Sequence, residues 1–115
     1  MTRARPFGMI RAMSVPNALM PLRIPTCWAV RWNGFFEHEE DGCIESEDIL
    51  WLDRIDPKSG ASTGPFIDVG WYGTREEGVF RLVLMQDDWD HEVKRFESRD
   101  RYAIVRELER WLPKV

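Results

Sequence analysis

The stretch FIDVGWYGTREEGVFRLVLMQ, residues 66–86, decides the fold of this chain. Its two ends, 66–72 and 79–86, alternate apolar and other side chains with the period of two that is typical of a β-strand. The shared faces hold Ile67, Val69 and Trp71 in the first segment and Phe80, Leu82 and Leu84 in the second. Because the six residues between the segments suffice for a hairpin, we expect an antiparallel pair. The second segment is largely apolar on both faces, which favours an interior strand.

The segments on the N-terminal side extend this hairpin into a meander. Residues 27–36 (CWAVRWNGFF) predict a strand with Trp28, Val30 and Trp32 on one face, before a turn at Asn33-Gly34. Residues 48–56 (DILWLDRID) fit either a strand or a short helix capped near Ser46. The period of two that joins Ile49, Trp51 and Ile55 favours the strand. Residues 57–65 (PKSGASTGP) predict a polar loop.

The C-terminal side of the hairpin predicts an edge strand and then a helix. In residues 93–97 (VKRFE), two adjacent cations discourage pairing with a further strand. Ser98 is the expected N-cap of a helix that runs to about Leu112, before Pro113. Its apolar stripe consists of Ile104, Val105, Leu108, Trp111 and Leu112. The predicted fold is therefore α+β, an antiparallel meander sheet of four to five strands with one C-terminal amphipathic helix packed on one face.

The six tryptophans are expected to serve two different purposes. Five fall mostly on inward positions of the predicted elements and are expected in the core: Trp28, Trp32, Trp51, Trp71 and Trp111. Trp89 lies in an acidic turn, where a partner could contact it.

Charge divides the 115 residues into two parts. Residues 1–25 contain four arginines, four prolines and no acidic residue, which predicts a basic, flexible N-terminal arm. A transit peptide, an arm that folds on a partner and an early start site are the alternatives. Residues 26–115 hold 12 basic and 20 acidic side chains, hence −8, and are expected to form a single α+β domain.

No apolar run is long enough for a secretory signal or a membrane span. Two cysteines without an export signal favour a reducing compartment, so the expected location is cytoplasmic. A small sheet has exposed edge strands that can pair with a second copy, so a homodimer is a possible assembly.

Catalytic and metal-binding motifs are absent from the sequence. The two histidines, His38 and His91, have no nucleophile in a recognisable arrangement with them. The donor-rich clusters are His38, Glu40, Asp41 and Cys43, and Asp87, Asp88, Asp90 and His91. Neither cluster has the spacing of a zinc site or of an EF-hand loop. We therefore expect no enzyme, no metal and no cofactor.

The acidic loops are the strongest candidate for a function. Carboxylates grouped around an aromatic ring attract a cationic protein and give it an anchor. The candidate partner-binding residues are Glu37, Glu39, Glu40, Asp41, Asp87, Asp88, Trp89 and Asp90. They predict a protein-binding domain with a basic protein partner.

The alternative function is binding of single-stranded nucleic acid by an aromatic sheet face and the basic arm. Its candidate residues are Trp28, Arg31, Trp32, Trp71, Tyr72 and Arg81. The charge of −8 outside the arm opposes contact with phosphates, so a nucleic-acid partner is not expected.

Two stretches of the chain resemble immunity proteins of bacterial polymorphic-toxin systems. The first has Trp32-Asn33-Gly34 followed by Glu37-His38 and Gly42, and the second runs from Asp88-Trp89 through Phe96 to a helix ending at Trp111. The resemblance covers roughly residues 32–45 and 87–112 and leaves 46–86 unmatched. It implies a cytosolic protein that binds and neutralises a cognate toxin without catalysis of its own.

Overall fold

The computed structural model describes residues 18–37 and 49–114. The elements in this part of the chain are β1 (Trp28–Asn33), β2 (Leu50–Ile55), β3 (Ser62–Tyr72), β4 (Val79–Gln86), β5 (Glu92–Ser98), α1 (Arg101–Trp111) and a 3₁₀ turn (Leu112–Lys114). The five strands form one sheet in the order β1-β2-β3-β4-β5, and every neighbouring pair is antiparallel. The predicted α+β meander with one C-terminal helix is confirmed. Among these residues no helix is long and apolar enough to cross a membrane.

One face of the sheet forms the main core. The strand register places Leu50, Val69 and Leu82 side by side, and Leu52, Ile67 and Leu84 form the adjacent row. The helix covers this face with its apolar stripe, of which Ile104, Leu108, Trp111 and the following Leu112 are buried. As the sequence predicts, α1 is amphipathic, because its apolar residues recur with the helical period.

The strand β1 departs from the predicted alternation at Arg31. Val30 pairs with Leu52 and Trp32 pairs with Trp51, so Arg31 is an extra residue in a β-bulge. The extra residue turns Trp32 to the face opposite α1. The prediction that Trp28, Val30 and Trp32 share one inward face is therefore wrong.

The predicted strand around residues 48–56 is present as β2, but it presents a different face to the core. Leu50 and Leu52 are fully buried, whereas Trp51 points to the opposite face. Trp32 and Trp51 are 55% and 44% exposed, so the core prediction is wrong for these two tryptophans. The other three tryptophans assigned to the core are buried: Trp28, Trp71 and Trp111.

Two local boundaries also differ from the sequence-based expectation. β3 begins at Ser62, inside the predicted loop 57–65, because its first residues pair with the end of β2. The N-cap of α1 is Asp100, whose side chain accepts a hydrogen bond from Tyr102 N at 2.9 Å. The prediction that Ser98 is the N-cap is therefore wrong: its Oγ accepts a hydrogen bond from Asp100 N, which precedes the helix.

Residues 18–25 pack against the domain. Met20 N donates to Phe35 O at 2.7 Å, and Leu19 forms an isolated antiparallel bridge with Phe36. The Met20 side chain is only 3% exposed and belongs to the main core. The folded unit therefore includes these residues of the predicted arm, while residues 1–17 lie outside the described part of the chain.

We predict that Met20→Ala lowers the free energy of unfolding by about 2 kcal/mol or more, because it removes a buried side chain from the core. The matched control is Leu19→Ala, since Leu19 is 44% exposed, and its effect is expected to stay below about 1 kcal/mol. Chemical denaturation of the two full-length variants measures both values. Equal effects would show that residue 20 does not contribute to the core.

Candidate functional site

The face of the sheet opposite α1 is not covered by any helix or strand of the described residues. We call it the open face. The strand register places on it Trp32, Trp51, Asp53, Phe66, Asp68, Gly70, Arg81, Val83, Met85, Arg95 and Glu97. An uncovered sheet face that carries large aromatic residues is a common feature of binding surfaces.

The open face has a small apolar cluster of its own. Phe66, Val83 and Met85 are buried and form a second cluster separate from the main core. The Trp89 ring packs against the Phe66 ring in an edge-to-face arrangement, with centroids 4.9 Å apart. Trp89 nevertheless remains 58% exposed, so it shields Phe66 while more than half of its own surface stays in contact with solvent.

A groove of about 670 Å³ lies beside this cluster. Among the described residues its lining consists of Trp51, Asp53, Ser62, Thr63, Gly64, Phe66, Asp87, Asp88 and Trp89. Trp51 and Asp53 come from β2 on one side, and Trp89 comes from the turn after β4 on the other side. Phe66 lies on β3, the strand between them. A volume of this size is within the range of pockets that receive side chains or small ligands.

The turn 87–90 is held beside β3 by two unusual backbone conformations. Asp87 N donates to Gly64 O at 3.0 Å, and Asp87 has a positive φ of 72°. Gly64 has a φ of 117°, and a Cβ on it would lie 2.6 Å from Asp87 Oδ1. The glycine therefore permits both the local conformation and the close approach of the turn.

The Asp53 carboxylate is buried at the opposite side of the groove. Arg31 donates to its Oδ2 from Nε and Nη2, at 3.2 and 3.1 Å. The Ser62 hydroxyl donates to the same oxygen. A buried carboxylate needs such partners, and the β-bulge in β1 supplies the arginine.

The Asp88 carboxylate organises the turn 87–90 itself. Its Oδ1 lies 2.6 Å from His91 Nδ1 and accepts a hydrogen bond from Asp90 N at 2.9 Å. The hydrogen bond with His91, supported by that from the Asp90 amide, lowers the pKa of Asp88 below its ordinary value of 3.8. Asp88 is therefore ionised at neutral pH, and the turn presents a negative charge.

The structure separates the predicted acidic residues into different regions. Asp87, Asp88, Trp89 and Asp90 lie together in the turn between β4 and β5. Glu37 follows β1 at the other end of the sheet, about 25 Å away along the strands. Glu39, Glu40 and Asp41 lie outside the described residues, as do His38 and Cys43.

Six of the lining residues were not predicted from the sequence as site residues: Trp51, Asp53, Ser62, Thr63, Gly64 and Phe66. Asp53 and Phe66 lie directly opposite each other in neighbouring strands, whereas they are 13 positions apart in the chain. The available signal was the alternation of β2, where Trp51 and Asp53 share one face and Leu50 and Leu52 share the other. A weaker signal was Phe66, the large apolar residue on the polar side of the first hairpin segment.

The arginines of the open face are paired with carboxylates. The pairs are Arg31 with Asp53 at 3.1 Å, Arg81 with Glu97 at 2.6 Å and Arg95 with Glu92 at 2.6 Å. Pairing neutralises these cations, so the charges of Asp87, Asp88 and Asp90 dominate this region. Within residues 18–37 and 49–114, no three His, Cys, Asp or Glu side chains are grouped as metal ligands.

We predict that Gly64→Ala costs about 1–3 kcal/mol of stability and displaces the Asp87 side chain, because the positive φ is strained and the new Cβ needs that space. Gly60→Ala is the matched control, since Gly60 also has a positive φ, 77°, but a Cβ on it would meet no atom within 4 Å. Amide NMR spectra are expected to show shifts at Asp87 and Trp89 only in Gly64→Ala. Identical shifts in both variants would contradict this role of Gly64.

We predict that His91→Ala raises the pKa of Asp88 toward 3.8, because the hydrogen bond that favours the carboxylate is removed. A lowered carboxyl pKa stabilises the native turn above the ordinary value, and this contribution is lost as the pH falls through the native pKa. Carboxyl ¹³C NMR titration measures the shift. In the same titration Glu92 serves as the control, because Arg95 lowers its pKa independently of His91. An unchanged Asp88 titration in His91→Ala would disprove the assignment.

We compared the chain with known proteins, and the result means that the site is interpreted from its geometry alone. The chain has no significant match among protein-family models, curated proteins or solved structures.

Proposed function

We propose that this protein is a non-enzymatic protein-binding domain that holds a basic partner protein on its open face. The observation that carries the proposal is the combination of three half-exposed tryptophans, Trp32, Trp51 and Trp89, with the acidic turn 87–90. Two of them line the groove, and the third pairs with Trp51 across neighbouring strands.

The exposed indoles support a protein partner. Leaving a large aromatic surface in water costs free energy that burial in an interface would recover. Tryptophan is enriched among the residues that contribute most to protein interfaces, because it combines a large apolar area with a hydrogen-bond donor. An interface at this face would cover Trp51 and Trp89 together with the Phe66 ring between them.

The charge distribution supports a basic partner. The turn 87–90 holds three carboxylates, and the arginines of the open face are already paired. An acidic turn next to exposed aromatic rings attracts a cationic surface, increases its association rate and then anchors it.

An immunity protein is the biological role that we propose for this surface. Nucleases bind a polyanion and therefore present cationic clefts, which a small acidic domain can occupy. The resemblance of residues 32–45 and 87–112 to bacterial immunity proteins points to the same role. The proposal includes a cytoplasmic location, where such a protein would meet the toxin that it neutralises.

Binding of single-stranded nucleic acid is the second candidate function. The observation that favours it is the direct pairing of Trp32 with Trp51 on the open face, where two half-exposed indoles could stack on bases. The ion pairs of Arg31, Arg81 and Arg95 oppose it, because contact with phosphates would require breaking them.

We predict that the double charge reversal Asp88→Lys/Asp90→Lys weakens binding of the partner by about tenfold or more, because the charges would repel a basic surface. The probe is the purified product of the neighbouring reading frame, titrated calorimetrically against the full chain at about 0.15 M salt. The matched control is Glu76→Lys/Glu77→Lys, which makes the same change of charge in the turn between β3 and β4, at the other end of the sheet.

If both double variants weaken binding of the partner equally, the affinity depends only on the net charge of the protein. That result would contradict the assignment of the binding site to the open face. Absence of binding to that product would remove the immunity role. A single-stranded dT20 oligonucleotide tests the second candidate. If it binds at the same salt concentration and Trp32→Ala abolishes binding, nucleic-acid binding replaces protein binding as the function.

A further inference from the structure

The groove between Trp51 and Trp89 differs from the rest of the open face in both shape and charge. It is a concave region with an aromatic residue from β2 on one side and another from the turn 87–90 on the other. The buried Phe66 ring lies on the strand between them and packs against Trp89. We refer to this region as the Trp51–Trp89 groove.

We propose that the Trp51–Trp89 groove is a binding site for an arginine side chain of the partner protein. The inference rests on the proposed function and specifies the chemistry by which the open face would recognise a basic partner. The guanidinium group would lie against the indole rings and direct its N–H groups to the carboxylates of Asp87 and Asp88.

The aromatic part of the groove is suited to a planar cation. Elsewhere in the described part of the chain, four arginines lie over aromatic rings: Arg54 over Trp28, Arg81 over Tyr72, Arg99 over Trp71 and Arg101 over Phe80, at 4.2–5.8 Å from the ring centroids. Among the described residues, no cation lies over Trp51 or Trp89. Since tryptophan is the most favourable partner in a cation–π contact, these rings retain their capacity to bind a cation from outside.

The charge of the groove also favours a cation. Its lining includes Asp53, Asp87 and Asp88, and among the residues that the structure describes it contains no lysine, arginine or histidine. Arg31 neutralises Asp53, whereas the Asp87 carboxylate accepts its hydrogen bond from the neutral amide of Gln86, at 3.2 Å. An anionic ligand would be repelled, and a neutral one would leave the Asp87 carboxylate without a charged partner.

Arginine fits this combination better than lysine does. Its guanidinium group is planar, is less strongly hydrated than an ammonium group, and can stack on indole while its edge donates to carboxylates. The lysine ammonium group is a compact, strongly hydrated charge that gains less from a flat aromatic surface.

The experiment compares three blocked pentapeptides of the form GGXGG, in which X is arginine, lysine or citrulline. Citrulline has nearly the shape of arginine but no charge. Each peptide is titrated into the full-length protein, and the six indole N–H signals are followed by NMR. We expect the arginine peptide to shift the signals of Trp51 and Trp89 and to bind at least about threefold more tightly than the lysine peptide. The citrulline peptide is expected to bind most weakly.

Variants identify the residues responsible. Trp51→Ala and Trp89→Ala are each expected to weaken binding of the arginine peptide by about 3–10-fold. Trp32→Ala is the matched control, because Trp32 lies on the same face with similar exposure and outside the lining of the groove. Asp87→Asn removes one charge with little change of shape, and we expect it to weaken arginine binding about threefold even if a tryptophan variant proves unstable.

Several outcomes would overturn the proposal. Equal affinity for the lysine or citrulline peptide, shifts confined to Trp32, or unchanged binding in Asp87→Asn would each do so. Replacement of Arg3, Arg5 and Arg11 by glutamine tests whether an arginine of this same chain, rather than one of a partner, binds in the groove. A gain in peptide affinity would show that the chain's own arginines occupy the groove and would overturn the partner assignment.

The same variants separate this inference from the proposed function. If Asp88→Lys/Asp90→Lys abolishes binding of the partner protein and Trp51→Ala leaves it unchanged, protein binding stands and the arginine site fails. If the arginine peptide binds as expected but the partner protein does not, the arginine site stands and the proposed function fails.

Discussion

A helix of eleven residues covers one face of a five-stranded sheet, and the rest of the structure depends on this packing. Such a helix is about 16 Å long and 10 Å wide, and five strands spaced about 4.8 Å apart span about 20 Å. The helix therefore lies over β4 and β5, residues 18–25 and Phe35 complete the main core on the same face, and the other face has no helix of the described residues on it. The main core forms beneath the helix, while the opposite face holds only the small cluster of Phe66, Val83 and Met85.

Two local irregularities give the open face its aromatic character. The β-bulge at Arg31 turns Trp32 outward and places the arginine beside Asp53. The positive φ angles of Gly64 and Asp87 bring the turn 87–90 against β3, where Trp89 packs on Phe66. Bulges and left-handed residues interrupt regular pairing, and they are frequent where a protein orients side chains for binding. Here both irregularities occur on the same face and beside the same groove.

Much of the architecture could be predicted because it follows from local patterns. The hairpin of β3 and β4, the charged edge strand and the amphipathic helix each depend on a periodicity within one segment. The open face could not be predicted in the same way. A bulge is defined by the register of two strands, so residues 27–36 alone do not reveal that Trp32 turns away from the core. In β2, Leu50 and Leu52 lie on one side, and Trp51 and Asp53 lie on the other. Because both sides carry a large apolar residue, the alternation does not show which side is buried.

The sequence by itself determined the hairpin of β3 and β4, the C-terminal helix, the acidity of the turn 87–90 and the presence of an aromatic residue within it. Tertiary structure decided which face of each strand is buried, that Glu37 and the turn 87–90 lie at opposite ends of the sheet, and that Trp51 and Phe66 join Trp89 around one groove. The physical reason is that side-chain alternation specifies two faces without saying which one the helix will cover. Only the pairing of five strands and the packing of α1 on one side distinguish them.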